Sequence, residues 1–239
     1  MASPRAQAIR TLHQQWCSLF DVPGADAEAI LRRTFQDCRQ ALESLQSELL
    51  ALNYPVESML FASTSLPQRI ARLEQALGAP IPLSLACFWQ EVGGVSLVSL
   101  GDYLHLDFWQ EQGLADACCD GLYIEALHAD AEDYFLSEWE DFQDSPEEFY
   151  LPLSPDAHHK DDVSGGASYG LRVQRGQSDV LTPWLGYEGS AAEQDWGQAF
   201  DFVGYLRWSL LVHAGFPGFA AEAAFAPIRD RLLSRVEVF

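Results

Sequence analysis

From Ala25 to Leu52 the apolar residues Ile30, Leu31, Phe35, Cys38, Leu42, Leu45, Leu49 and Leu52 recur at three- and four-residue steps. Only the α-helical repeat puts such a series on one face, so a long amphipathic helix is predicted here. A shorter helix is predicted over Arg5–Phe20, and Asp21-Val-Pro-Gly24 separates the two by placing Pro and Gly where a helix must stop. Residues 1–60 thus read as an N-terminal helical hairpin. A third helix has Ser65 as its expected cap, Pro67 in its first turn, Ile70, Leu73 and Leu77 on one face, and Gly78 at its end. After Ala79-Pro-Ile-Pro82, a fourth carries Leu85, Phe88 and Trp89 and stops at Gly93-Gly94.

Beyond Gly94 the pattern changes to short β-like runs at Val95–Leu100, Tyr103–Phe108, Glu148–Leu153, Ser168–Val173 and Asp179–Leu181, expected to pair into one mostly antiparallel sheet. Asp130–Phe142 sets Tyr134, Phe135, Trp139 and Phe142 among carboxylates and reads as helix in preference to strand. Helical spacing returns over Phe200–His213, and Gly215-Phe-Pro-Gly218 ends it. The fold class is therefore α+β with an N-terminal helical extension, divided as 1–60 (hairpin), 65–219 (α+β domain) and 220–239 (C-terminal helical tail).

A composition of 48% hydrophobic and 12% aromatic residues supplies enough apolar surface to offset the entropy of ordering 239 residues. No run reaches the roughly 20 apolar residues that cross a bilayer, and the first residues lack the apolar core of a signal peptide, so a soluble cytoplasmic protein is expected. The five cysteines, Cys17, Cys38, Cys87, Cys118 and Cys119, are odd in number and contain no CxxC pair, which favours free thiols over a disulfide framework or a zinc site.

The formal charge of −21 opposes binding to nucleic-acid phosphates or anionic membranes and suits a basic protein partner. It is unevenly spread: residues 1–100 hold 9 acidic and 7 basic side chains, residues 101–239 hold 26 and 7, and 101–150 hold 15 acids without a Lys or Arg. An ordinary soluble surface mixes both signs. Asp130, Glu132, Asp133, Glu138, Glu140, Asp141, Asp144, Glu147 and Glu148 are therefore the expected partner-binding acids. Tyr134 and Trp139, with Phe142 and Phe149, are the expected aromatic anchors among them.

Three segments occur in order: Ile70-Ala-Arg-Leu-Glu-Gln-Ala-Leu-Gly-Ala-Pro-Ile-Pro82 leading to Phe88-Trp-Gln-Glu-Val-Gly-Gly94; Leu151-Pro-Leu-Ser-Pro-Asp-Ala-His-His-Lys160 with Ser164-Gly-Gly166 and Tyr169; and Phe202-Val-Gly-Tyr-Leu-Arg207 with Gly215-Phe-Pro-Gly218. Together they resemble the SUKH superfamily, which includes bacterial toxin-immunity proteins and yeast cell-wall assembly regulators. The resemblance spans roughly Ser65–Phe219. It implies a twisted, mostly antiparallel sheet flanked by helices, and a role in holding a protein, commonly a secreted toxin's nuclease-like domain. The implied structural motif residues are Leu73, Glu74, Leu77, Gly78, Pro82, Gly93, Gly94, Pro152, Asp156, His159, Lys160, Ser164, Gly165, Gly166 and Tyr169. Val92-Gly93-Gly94 departs from the family's frequent Asn-Gly turn but keeps a glycine for positive φ.

Catalytic readings fare poorly. Asp156, His158, His159, Asp161 and Asp162 cluster in sequence, yet adjacent histidines seldom point at one ion and neither HExxH nor EF-hand spacing is present. Ser164-Gly165-Gly166 fits neither a phosphate loop nor a nucleophile elbow. Cys87 lies on an apolar helix face, and pairs such as Glu138 with Glu140 are neighbours in sequence rather than opposed across a cleft. The expectation is a non-catalytic protein without cofactor or metal, binding a basic protein such as a toxin domain, or alternatively a regulatory scaffold of the cell-wall regulator type.

Overall fold

The computed structural model describes residues 3–56, 58–98, 104–114, 121–145, 149–154, 170–173, 184–185, 196, 200–220 and 222–239. The chain is a mixed α and β structure. Among the described residues the α-helices are α1 (Pro4–Cys17), α2 (Ala27–Ala51), α3 (Leu66–Leu77), α4 (Leu83–Glu91), α5 (Leu104–Glu111), α6 (Ala129–Phe142), α7 (Phe202–Arg207) and α8 (Ala226–Leu232). The strands are β1 (Leu60–Phe61), β2 (Gly94–Ser96), β3 (Tyr123–Ile124), β4 (Tyr150–Pro152), β5 (Gly170–Arg172) and β6 (Trp184–Leu185).

The apolar stripe of α2 becomes its buried face: Leu31, Phe35, Cys38, Leu42, Leu45 and Leu49 are at most 2% exposed. Each such side chain stabilises the fold by about 1.5–3 kcal/mol. Asp26 caps the helix by accepting the Ala29 N–H at 3.0 Å, and α2 packs chiefly on α4 through Phe35 against Phe88. One continuous core runs from Ala6 of α1 to Phe239, so α1, α2 and α8 share it with the strands and the middle helices.

Among the described residues the strands form two small antiparallel sheets, β1-β2-β3 and β4-β5-β6, in place of the single sheet expected. One backbone bond, Glu125 N–H to Leu153 O at 2.8 Å, joins the end of β3 to the end of β4. The glycines expected to end α4 have a steric reason to be there. At Gly93 (φ +92°) a Cβ would lie 2.0 Å from the Phe61 carbonyl oxygen, and at Gly94 it would lie 2.6 Å from the Ala126 nitrogen. Neither β1 nor the β3–α6 link can approach β2 if a side chain intervenes.

Two local expectations are corrected. The strand expected at Tyr103–Phe108 is instead α5 from Leu104 onward. The alternation of Leu104, Leu106 and Phe108 mimics a strand, but the burial that decides is that of Trp109, whose ring meets Phe108, Tyr54, Phe216, Phe219 and Phe225. Ser65 does stand at the start of α3, but with φ +52° and no side-chain capping bond; its carbonyl accepts the Arg69 N–H at 3.1 Å. The run Asp179–Leu181 lies outside the described residues. The helix expected over Phe200–His213 begins as α7 and continues as a π-helical turn, Trp208–Val212. Among the described residues, no helix is long and apolar enough to cross a membrane.

Candidate functional site

The acidic segment forms α6. His128 caps it, Nδ1 accepting the Ala131 N–H at 3.3 Å, and Asp130 and Glu132 in the first turn complement the positive end of the helix dipole. Ala131 and Phe135 are buried, and Leu136, Trp139 and Phe142 are half-buried against the core. On the opposite face Asp130, Asp133, Ser137, Glu140 and Asp141 are exposed, as is Asp144 in the turn after the helix, whereas Glu138 and Ser145 are half-buried. Through Ser137, steps of three and four residues align Asp130, Asp133, Glu140 and Asp141 into one stripe roughly 16 Å long at 1.5 Å rise per residue, and Asp144 follows in the turn after the helix. Among the described residues none of the five takes part in an ion pair.

Three expected contact residues are placed elsewhere. Glu132 is only 3% exposed, and its carboxylate accepts from Arg72 (Nη2 at 2.6 Å, and Nε) and from Arg69 Nη1. The hydrogen bonds from Arg72 and then Arg69 hold this carboxyl below the usual carboxylate range. Glu132 thus belongs to the α3–α6 junction and not to the outer face. Tyr134 and Trp139 are half-buried and turned inward, as are their neighbours: Trp139 meets Phe149 edge-on at 5.1 Å and Phe142 meets Phe149 at 5.4 Å. The aromatic spacing among the acids thus follows the inner side of an amphipathic helix, where these rings pack against the core. Glu147 and Glu148 lie outside the described residues.

The arginines explain why the stripe is uncompensated. Arg32 and Arg39 bind Glu91 across the α2–α4 contact, Arg5 and Arg10 donate to the main-chain oxygens of Leu211 and Trp196, and Arg235 pairs with Glu48 at 3.1 Å. These cations are used in joining elements, while the outer acids of α6 face solvent.

A second ionisable cluster was missed in the sequence, because its members are far apart along the chain. His13 on α1 lies 2.8 Å from Asp201 through Nε2 and 3.4 Å from the Cys17 sulfur, and its Nδ1 lies 3.0 Å from Arg207 Nη1. His13, Cys17 and Asp201 bring three potential metal-ligand atoms close together. A guanidinium can only donate, so Nδ1 must hold the lone pair and Nε2 the proton. The nitrogen facing Asp201 and Cys17 is therefore protonated, which disfavours it both as a metal ligand and as a base for the thiol. Burial pushes the Cys17 thiol up to about 11, further from the nucleophilic thiolate. Both partners also sit at the same ring nitrogen, whereas a catalytic triad needs them at opposite ones.

The cluster is an architectural joint. Arg207, 2% exposed, stacks over Trp16 at 4.7 Å and donates to the main-chain oxygen of Phe239 at 2.6 Å. Burial lowers its pKa to about 10, with Asp201 opposing that shift, so it remains charged at neutral pH. Asp201 also caps α7, accepting the Gly204 N–H at 2.8 Å. The sequence signals for this joint were an arginine inside an apolar helical run and an aspartate just before it; their partner His13 is 188 residues from Asp201.

The remaining motif residues found within the described structure have mechanical roles. Leu73 and Leu77 are buried, and Glu74 Oε1 accepts the Ile81 N–H at 3.0 Å, bracing the turn that Gly78 makes at φ +63°. Pro82 precedes α4, and Pro152 pairs with Gly170 in the second sheet. Asp156, His159, Lys160, Ser164, Gly165, Gly166 and Tyr169, and with them the histidine-rich cluster, lie outside the described residues. Cys38 and Cys87 are buried free thiols, and burial raises the pKa of both. Compared with models of known protein families, with curated proteins and with solved structures, the chain gives no match.

Proposed function

We propose that this protein is a non-catalytic, SUKH-like protein-binding domain that acts in the cytoplasm as an immunity protein, neutralising a basic, nuclease-like toxin. The observation that carries the reading is the outer stripe of α6: four exposed carboxylates on one helix and a fifth, Asp144, in the turn that follows it, with no ion-pair partner among the described residues. Such a surface raises the encounter rate with a cationic protein and repels nucleic acid. A catalytic alternative has little support, because the best-assembled Cys–His–Asp group is protonated at the wrong nitrogen and its thiol is held in the unreactive form. The SUKH resemblance of residues 65–219 supplies the expected partner class and a twisted sheet backed by helices as the expected finer fold.

The test is to recover the partner from the native cell and measure its association rate against ionic strength. Replacing Asp133, Glu140, Asp141 and Asp144 by Lys should slow association at low salt by at least tenfold and flatten its salt dependence. An unchanged rate and salt dependence would remove α6 from the contact. A captured partner that is not basic would remove the toxin reading in favour of a scaffold role.

A further inference from the structure

The link between β3 and α6 holds a proton in a defined place. Glu125 is fixed on several sides: its N–H donates to Leu153 O at 2.8 Å, its carbonyl accepts from Trp89 Nε1 at 2.9 Å, and its Oε2 accepts from the buried Tyr123 hydroxyl at 2.7 Å. The other carboxylate oxygen lies 3.2 Å from His128 Nε2. The opposite ring nitrogen, Nδ1, is the α6 cap, 3.3 Å from the Ala131 nitrogen. A backbone amide only donates, so Nδ1 must carry the lone pair, and the single ring proton sits on Nε2 pointing at Glu125. The cap therefore exists only while His128 is neutral.

We propose that His128 is a proton-sensitive switch for the first turn of α6: the neutral ring caps it, and the imidazolium uncaps it. A second ring proton can go only to Nδ1, converting the acceptor into a donor aimed at an N–H that has no other partner in the first turn. Rotating the ring does not restore an acceptor, because both nitrogens are then protonated. The charged ring also keeps its pairing with Glu125 and faces the positive end of the helix.

The charged and titratable groups around the ring come from each packed element. Glu125 precedes it, Tyr123 of β3 acts through Glu125, Asp130 and Glu132 belong to the first turn, and Arg69 and Arg72 of α3 act through Glu132. A second ring proton has the same consequence for the cap whatever these neighbours contribute. If the outer stripe of α6 is the docking face, as proposed above, proton uptake also loosens the turn that presents Asp130 and Asp133.

The test uses the free protein. NMR follows the His128 ring through its own titration while hydrogen exchange gives the protection factor of the Ala131 amide. Protection should fall by about fivefold as the ring takes up its proton, the size expected for loss of an N-cap. It should stay level in His128→Asn, where a non-titrating side chain caps the helix, and should be low at every pH in His128→Ala. Equal Ala131 protection on the two sides of the ring titration would overturn the proposal, as would the same fall in His128→Asn. No partner is present in this measurement, so its outcome is separate from that of the docking experiment.

Discussion

The inner face of α1 and the outer face of α6 both carry ionisable side chains, and they use them in opposite ways. On α1, His13 is withdrawn from water and placed between a carboxylate and a guanidinium, with hydrogen bonds fixing which nitrogen holds the proton. On α6 and in the turn after it, Asp130, Asp133, Glu140, Asp141 and Asp144 stand in solvent without ion-pair partners among the described residues. A buried charge is costly to desolvate and must be matched locally, so it fixes geometry. An exposed charge costs the fold little and acts at a distance. The same residue types therefore make a joint in one place and a long-range field in the other, and α6 contains both: Glu132 on its inner side is a joint, and its outer acids are the field.

The largest effect that can break this contrast is at Arg207. Arg207→Met should lower unfolding free energy in denaturant titrations by about 3–5 kcal/mol, the usual result of removing one member of a buried ionic group; a loss below about 1 kcal/mol would mean that the α1 joint is dispensable. Next is the reactivity of Cys17. With its thiol held at about 11 in place of 9.0, alkylation at pH 8 should run about a hundredfold slower than for an ordinary thiol. Fast labelling of Cys17, located by peptide mass, would turn the joint back into a candidate nucleophile.

Glu132→Gln should cost about 2 kcal/mol at pH 7 by leaving Arg69 poorly compensated at the α3–α6 junction. Because the arginines hold the Glu132 carboxyl below its unfolded value of about 4.3, its stabilisation is complete above that pH and is lost as pH falls through the lower folded value. The stability gap between the native chain and Glu132→Gln should therefore narrow below about pH 4; a gap that stays constant into acid would contradict the assigned pairing. The smallest effect belongs to the outer stripe. Reversing Asp133, Glu140, Asp141 and Asp144 to Lys should change folding stability by no more than about 0.5 kcal/mol per site, while its effect on partner association is large. A thermal scan showing collapse of the fold would mean that these acids are structural after all.

Periodic features were legible before the structure, and features made by distant residues were not. α2 could be read because its apolar steps repeat over seven turns, and α3 and α4 because Pro67, Gly78, Pro82 and the Gly93-Gly94 pair punctuate them. α5 was misread because a six-residue alternation outweighed a single Trp109, whose neighbours Phe216, Phe219 and Phe225 lie more than a hundred residues away in sequence. The acid-rich run correctly indicated a charged surface, but sequence alone gave no sign that Arg69 and Arg72 would arrive from α3 to bury Glu132. The inward packing of the aromatic residues among the acids was hidden for the same reason. Without the helix phase settled, Trp139 and Phe142 cannot be told from exposed anchors.

The joint that α1 makes with Trp196, Asp201, Arg207 and Leu211 also sets an order of events during synthesis. At a ribosomal pace of about 5–20 residues per second, α1 waits roughly 10–40 s before Asp201 and Arg207 exist. During that interval Ile9 and Trp16, both buried in the finished fold, have no such surface to cover them, whereas α2 and α4 are close enough in sequence to pair early. A helix made well before its partners is thus locked late, and the nascent chain carries an apolar face that a chaperone can hold until the closing segment emerges.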